Sequence, residues 1–241
     1  MLRRIISGIM LTLLLICGLT PAFNIQPSKA SGTIYIRGDG SIDPPTASIS
    51  TVDNVTYTFT DNINDFLVIQ RSNIIVDGAG YTLYGNGSGR GIDLLFGYLS
   101  NITIRNMEIR DFEYGISAEW CWDLNISRNF IQTNSELHGI WLHWSFDNIL
   151  AENNITGSAL AVYLDSCIHN TLTKNKITYN YAAISLIGSS SNHIIGNNIT
   201  KNQFWGVLLD SSSHNTLAGN NMTSNGVGIE IENSSNNNTL T

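Results

Sequence analysis

Carboxylates, an imidazole and two aromatic rings recur in this chain at a nearly constant interval. Glu119, His143 and Asp165 stand 24 and 22 residues apart, and Asp210 follows two such intervals later. Trp141 and Tyr163, each two residues ahead of a member of that series, keep the same spacing. Groups one interval apart can act together only if the backbone brings equivalent positions side by side. Two carboxylates so placed could divide the roles of general acid and general base. Two aromatic rings could hold a sugar ring against an apolar surface. The chemistry therefore depends on a repeat.

The repeat is present and covers most of the chain. A first apolar column runs Ile104, Ile126, Leu150, Leu172, Ile194, Leu217, Leu240. A second runs Ile109, Ile131, Ile155, Ile177, Ile199, Met222. A third is a small residue followed by a branched one, as in Gly115-Ile116, Gly139-Ile140, Ala161-Val162, Ala183-Ile184 and Gly206-Val207. An earlier, less regular turn passes through Val76, Leu83 and Gly91-Ile92. Each unit holds three short β-branched strands between polar corners and is too short to bury its own apolar side. Stacking units about 4.8 Å apart gives three parallel sheets around one core. The expected fold is all-β, a right-handed parallel β-helix of about 22–24 residues per turn. Leucine-rich repeats have a similar period but need a denser leucine framework.

Asparagines mark the corners. Asn148, Asn170, Asn192, Asn215 and Asn238 form one column, and Asn129, Asn153, Asn175, Asn197 and Asn220 another. A third holds Asn134, Asn180, Asn202 and Asn225, with Ser158 on one rung. Asparagine tolerates left-handed backbone angles, and its amide can bond the amides above and below, so these columns are expected to be structural. Cys121 and Cys167 fall at equivalent positions two turns apart with Ser145 between them. Two rises of about 9.6 Å exceed the roughly 7 Å that a disulfide allows between Cα atoms, so both thiols should be free.

Residues 1–30 read as a signal peptide: Arg3 and Arg4, then an apolar run from Ile5 to Leu19, then Ser28-Lys29-Ala30. That run is short for a membrane span, so membrane association is expected only through this leader, and the protein is expected outside the cell or on its surface. The whole chain carries a net charge of −7. Removing the leader takes away three basic residues and no acid, leaving nine basic against nineteen acidic. Such a balance argues against nucleic acid and against a polybasic membrane patch. Residues 31–66 lack the repeat and read as an N-terminal cap, with residues 67–241 as the helix proper. Leu240 begins a strand just before the last residue, so either a partner caps this end or, as the favoured expectation, the sequence is a fragment of a longer protein whose missing part could include C-terminal domains. Nine Asn-x-Ser/Thr sequons, among them Asn154, Asn198 and Asn221 in one column, fit a glycosylated surface protein and also follow from an Asn- and Thr-rich composition.

The stretch Asn73 to Leu83, then Gly91-Ile92-Asp93-Leu94, then Asn101 to Ile109 resembles the opening turns of NosD-like proteins, a branch of the carbohydrate-binding and sugar-hydrolysis (CASH) class of parallel β-helix repeats. The Asn-x-Leu-x-x-Asn-x-Ile units that follow resemble the same class. The resemblance covers residues 67–241 and rests on core and corner residues. It implies an exported β-helix. Some relatives bind or cleave polysaccharides, and the namesake assists copper-site maturation of nitrous oxide reductase. Fold-level likeness does not choose among these.

On the third strand the residues between core positions should face outward: Asp93, Ser117, Trp141, Tyr163, Ser185, Leu208 and Glu230, then Glu119, His143, Asp165, Ile187, Asp210 and Glu232. Trp141, Tyr163 and His143 are the candidate ligand-binding residues, and Glu119, Asp165 and Asp210 the candidate catalytic ones. Carboxylates two turns apart, at about 9.6 Å, would suit an inverting hydrolase pair. A lyase would use carboxylates around calcium with an arginine base. No arginine follows Arg128 and no specific calcium motif is present, so no cofactor is assigned. The ordinary alternative is a solvated face with incidental charges. Trp120, Trp122, Trp144 and Phe146 crowd adjacent turns as an aromatic platform or a cover for one side. Five scattered histidines, without a CxxC or HxH cluster, argue against a metal site, and corner histidines are expected to bond nearby asparagines. The functional reading is a secreted or cell-surface module that binds glycans or adhesive partners without catalysis. A polysaccharide hydrolase or lyase, and an accessory protein in copper-enzyme maturation, are the alternatives.

Overall fold

The computed structural model describes residues 32–94 and 98–241, apart from the side chains of Ser135 and Glu136. The expected signal peptide lies outside the described residues. The chain forms a β-solenoid of about eight turns with mostly parallel strands. Apolar columns explain why. Leu150 pairs with Leu172, Leu172 with Ile194 and Ile194 with Leu217, each directly over the last. Ile131, Ile155, Ile177 and Ile199 stack likewise on the second face. Ile92, Ile116, Ile140, Val162, Ile184 and Val207 do so on the third. All of these side chains except Leu217, which is nearly so, are fully buried, and they form one continuous core.

The first face is a sheet of ten strands, whereas the second and third merge into one of fifteen. They merge because Phe130–His143 and Asn154–Asp165 each run unbroken through the corner where separate short strands were expected. Small residues make that bend possible. A Cβ on Gly115 would meet the Gly139 carbonyl at 2.6 Å, and one on Gly139 the Ala161 carbonyl at 2.6 Å. The rung through Gln132, Ser135 and His138 carries two register shifts, which accounts for its longer period.

Residues 32–66 lie against the first turn. Ile34–Ile36 pairs parallel with Leu67–Ile69, and Thr56–Thr58 with Ile75–Asp77, while two antiparallel pairings fold the segment on itself. Ile36, Tyr57 and Phe59 are buried in the common core.

The asparagine columns are hydrogen-bonded ladders. Asn175 donates from Nδ2 to Asn197 Oδ1 and to the Leu150 carbonyl, while its Oδ1 accepts from the backbone N and Nδ2 of Asn153. The left-handed residue at these corners is the one before the ladder asparagine, as at Arg128, Glu152 and Lys174, and it need not be Asn. The expected role of Asn in adopting that conformation is thus corrected: the ladder side chain points inward, and its predecessor turns the chain. Asn134 is a second correction. It sits in the left-handed position and is exposed, and Thr133 Oγ1 takes the ladder contact to Ser158 Oγ at 2.8 Å.

Cys121 and Cys167 are free and buried, and they alternate with serines. Cys121 N donates to Ser145 Oγ and Cys167 N to Ser189 Oγ. Burial pushes the two thiols up to about 11 and about 12.

Candidate functional site

The third face positions every candidate site residue. Its strands place Glu119, His143, Asp165, Ile187 and Asp210 in one outward column, and Ser117, Trp141, Tyr163, Ser185 and Leu208 in the next. Register brings the predicted residues together, but the rings do not pair as expected. Trp141 leans back on Tyr114, with ring centroids 5.5 Å apart, and also contacts the ring of His143 at 5.7 Å. Tyr163 packs on His138 at 4.9 Å, and His138 on Tyr114 at 5.3 Å. Arg90 sits over Tyr114 and Trp141 at 5.3 and 6.0 Å, a cation held against aromatic faces. The result is a continuous patch of Arg90, Tyr114, His138, Trp141, His143 and Tyr163.

Ser117 and Ser185 were expected to be solvated. Both are buried, because larger outward residues on neighbouring rungs cover them. His138 was expected to bond a corner asparagine. Its Nδ1 is instead buried without a partner between two tyrosines, and burial lowers its pKa to about 4. The corner reading does fit His214, whose ring lies 3.3 Å from Asn237 Nδ2.

One property separates this patch from the rest of the described residues. The buried side-chain polar atoms that lack a hydrogen-bond partner are Arg90 Nε, Ser117 Oγ, His138 Nδ1, Trp141 Nε1 and His143 Nδ1; four belong to it, and Ser117 lies beside Trp141 on the neighbouring rung. His143 Nδ1 does lie 3.0 Å from Asp165 Oδ2, a charge contact without the alignment of a hydrogen bond. Unpaired buried polar groups are costly, so a cluster of them calls for an ordered water or another partner. Asp210 is two rungs beyond Asp165, and its carboxylate is engaged by Ser211 and Asn233. Glu119 lies one rung before His143.

The aromatic crowd at the neighbouring corner is a ladder of stacked rings. Trp120 stacks on Trp144 at 4.8 Å and Trp122 on Phe146 at 5.6 Å. Each ring covers a face of its neighbour, while Trp120, Trp144 and Phe146 remain 37%, 46% and 37% exposed.

Sequence reasoning missed Arg90, Tyr114 and His138 as members of the site. No arginine follows Arg128, and the arginine of the patch comes from an earlier rung. Arg90 pairs in register with Tyr114, which would have revealed it.

Solved structures with the same fold include a double mutant of the periplasmic alginate epimerase AlgG. It is 20% identical, with a TM-score of 0.55 over 71% of this chain and 51% of that one. The enzymatically active domain of bacteriophage CBA120 tailspike protein 2 is 10% identical, with a TM-score of 0.58 over 75% of this chain and 38% of that one. This chain therefore spans about half of the first and less of the second. No curated protein matches the sequence significantly. A family model described as "Periplasmic copper-binding protein (NosD)" matches residues 42–241. The donor set does not fit copper. Among the described residues no three His, Cys, Asp or Glu side chains converge. His138 and His143 are five residues apart on one strand, roughly 16 Å, and both cysteine thiols are buried and protonated. The repeat, its register and the extent of the match together place this chain in the NosD family of parallel β-helix proteins.

Proposed function

We propose that the third-face patch is a carbohydrate-binding surface, and that the protein is an exported or cell-surface β-helix module without catalysis. The continuous run of part-exposed aromatic rings on the outward columns, with Asp165 beside them, carries the reading. The rings supply apolar contact for a sugar ring, and the part-exposed Asp165 carboxylate supplies an acceptor for its hydroxyls. The periplasmic description of the family and of AlgG supports an exported location. The names of the structural neighbours support a polysaccharide as the ligand class. Titration against a glycan panel is the test. Trp141→Ala is expected to weaken the best ligand at least tenfold, with far-ultraviolet circular dichroism unchanged. A panel with no binder, or equal affinity in the variant, would sink the reading.

The contact between His143 and Asp165 favours one second reading. Asp165 would orient His143 as a general base, Glu119 would act one rung away, and the patch would belong to a polysaccharide hydrolase or lyase. Release of reducing or unsaturated ends, lost in Asp165→Ala, would select it over simple binding.

A further inference from the structure

A groove of about 550 Å3 opens at the corner between the second and third faces, away from the Trp141 patch. Its upper wall is formed by Tyr179 and Tyr181, which are 63% and 48% exposed. Beneath them the preceding rung carries only Gly157 and Ala159, so the lower faces of both rings meet no large side chain. Their upper faces are occupied: Lys201 Nζ lies 5.3 Å over the Tyr179 ring, and Phe204 stacks on Tyr181 at 5.7 Å. Tyr179 holds the left-handed backbone angle, φ 60°, that the residue before a ladder asparagine adopts, as Lys201 does one rung later. Lys201 Nζ donates to Tyr179 Oη at 3.0 Å, which fixes a cation at the mouth, with Gln203 beside it.

Charge decides which ligand fits. After Arg128 the basic residues are Lys174, Lys176 and Lys201, and the acids are Glu136, Asp147, Glu152, Asp165, Asp210, Glu230 and Glu232. The lysines lie on the second face or its corners, Glu152 holds the corner position one rung before Lys174, and Asp165, Asp210, Glu230 and Glu232 lie in the outward columns of the third face. An anion is therefore drawn to the groove and repelled by the face next to it. We propose that this corner is a separate saccharide site for an acidic pyranose, its ring packed under Tyr179 and Tyr181 and its carboxylate against Lys201. The assignment rests on the groove alone and does not require the Trp141 patch.

Trp205 packs on Phe204 at 4.3 Å, so its fluorescence can report occupancy. The probes are hexamers of galacturonic and glucuronic acid, their methyl esters, and a neutral galactose hexamer. A free-acid hexamer is expected to bind, to weaken as salt rises, and to exceed its ester at least tenfold. Lys201→Met, at an exposed position, should abolish that preference, and Tyr181→Ala should lower affinity at least tenfold. Lys174→Met, at an exposed position outside the groove, should change neither. Equal binding of acid and ester, no binding of either acid, or unchanged binding in Lys201→Met would overturn the site. Binding lost in Trp141→Ala but kept in Lys201→Met would assign it to the flank patch instead, and would likewise overturn this one.

Discussion

The corner ladders and the third-face patch are made from the same kinds of polar atom in the same solenoid, yet their accounts close differently. In the Asn129–Asn220 column each fully stacked amide uses both donors and both acceptor positions, as Asn175 does. In and beside the patch, Arg90 Nε, Ser117 Oγ, His138 Nδ1 and Trp141 Nε1 are buried without a hydrogen-bond partner, and His143 Nδ1 has only its contact with Asp165. A ladder position repeats one environment at every turn, so a single side chain satisfies all rungs. The patch breaks the repeat: Arg90 and Tyr114 stand on successive rungs, His138 and Trp141 share the next, and no side chain recurs to complete them. Periodicity produces saturation, and its interruption leaves polar atoms unpaired.

The largest test of that contrast is Asn175→Ala. It deprives the Leu150 carbonyl and the Asn153 backbone N–H of partners, and removes one of the two bonds made by Asn153 Nδ2. At about 1–3 kcal/mol for each stranded group, the expected loss is roughly 3–5 kcal/mol in urea unfolding. Asn175→Ser should lose less, since Ser158 already serves one rung of a sister ladder. A loss under about 1 kcal/mol would mean that the ladder is redundant with the parallel strand bonds.

Much of this was legible beforehand. The columns through Ile104 and Ile109 are spaced by the period itself, and every partner follows from adding 22 to 24. Glu119, His143 and Asp165 were found by the same addition. His138 was not, because two extra residues between Gln132 and Gly139 shift its register, and an insertion leaves no periodic trace. Tyr179 and Tyr181 escaped because corner positions outside the core accept any residue, so nothing in spacing distinguishes them. Only a bulky residue at a left-handed corner would have drawn notice, and that requires the backbone angle.

The second test is one of pH. His138 has its pKa lowered by burial to about 4, from an ordinary 6.5. As pH falls below 6.5 the unfolded chain takes up this proton and the folded chain does not. The contribution is fully present above 6.5 and is lost progressively down to about 4. His138→Phe keeps an aromatic ring against Tyr114 and Tyr163 and should flatten the decline in unfolding midpoint between those limits. No ladder substitution should alter that slope. An identical slope in wild type and variant would mean that a partner, such as a bound water, already satisfies the ring.

The smallest expected effect sharpens the comparison most, because its sign is opposite. Ser117 is fully buried and its hydroxyl has no partner. Ser117→Ala removes an unsatisfied polar atom and creates almost no cavity, so stability should hold or rise by up to about 1 kcal/mol. In a ladder, deleting a polar group must cost. In the patch it should cost nothing in folding, and because the hydroxyl lies out of a ligand's reach, affinity should hold as well. A loss of more than about 1 kcal/mol would show that the hydroxyl serves the fold, and the patch would then differ from the ladders only in appearance.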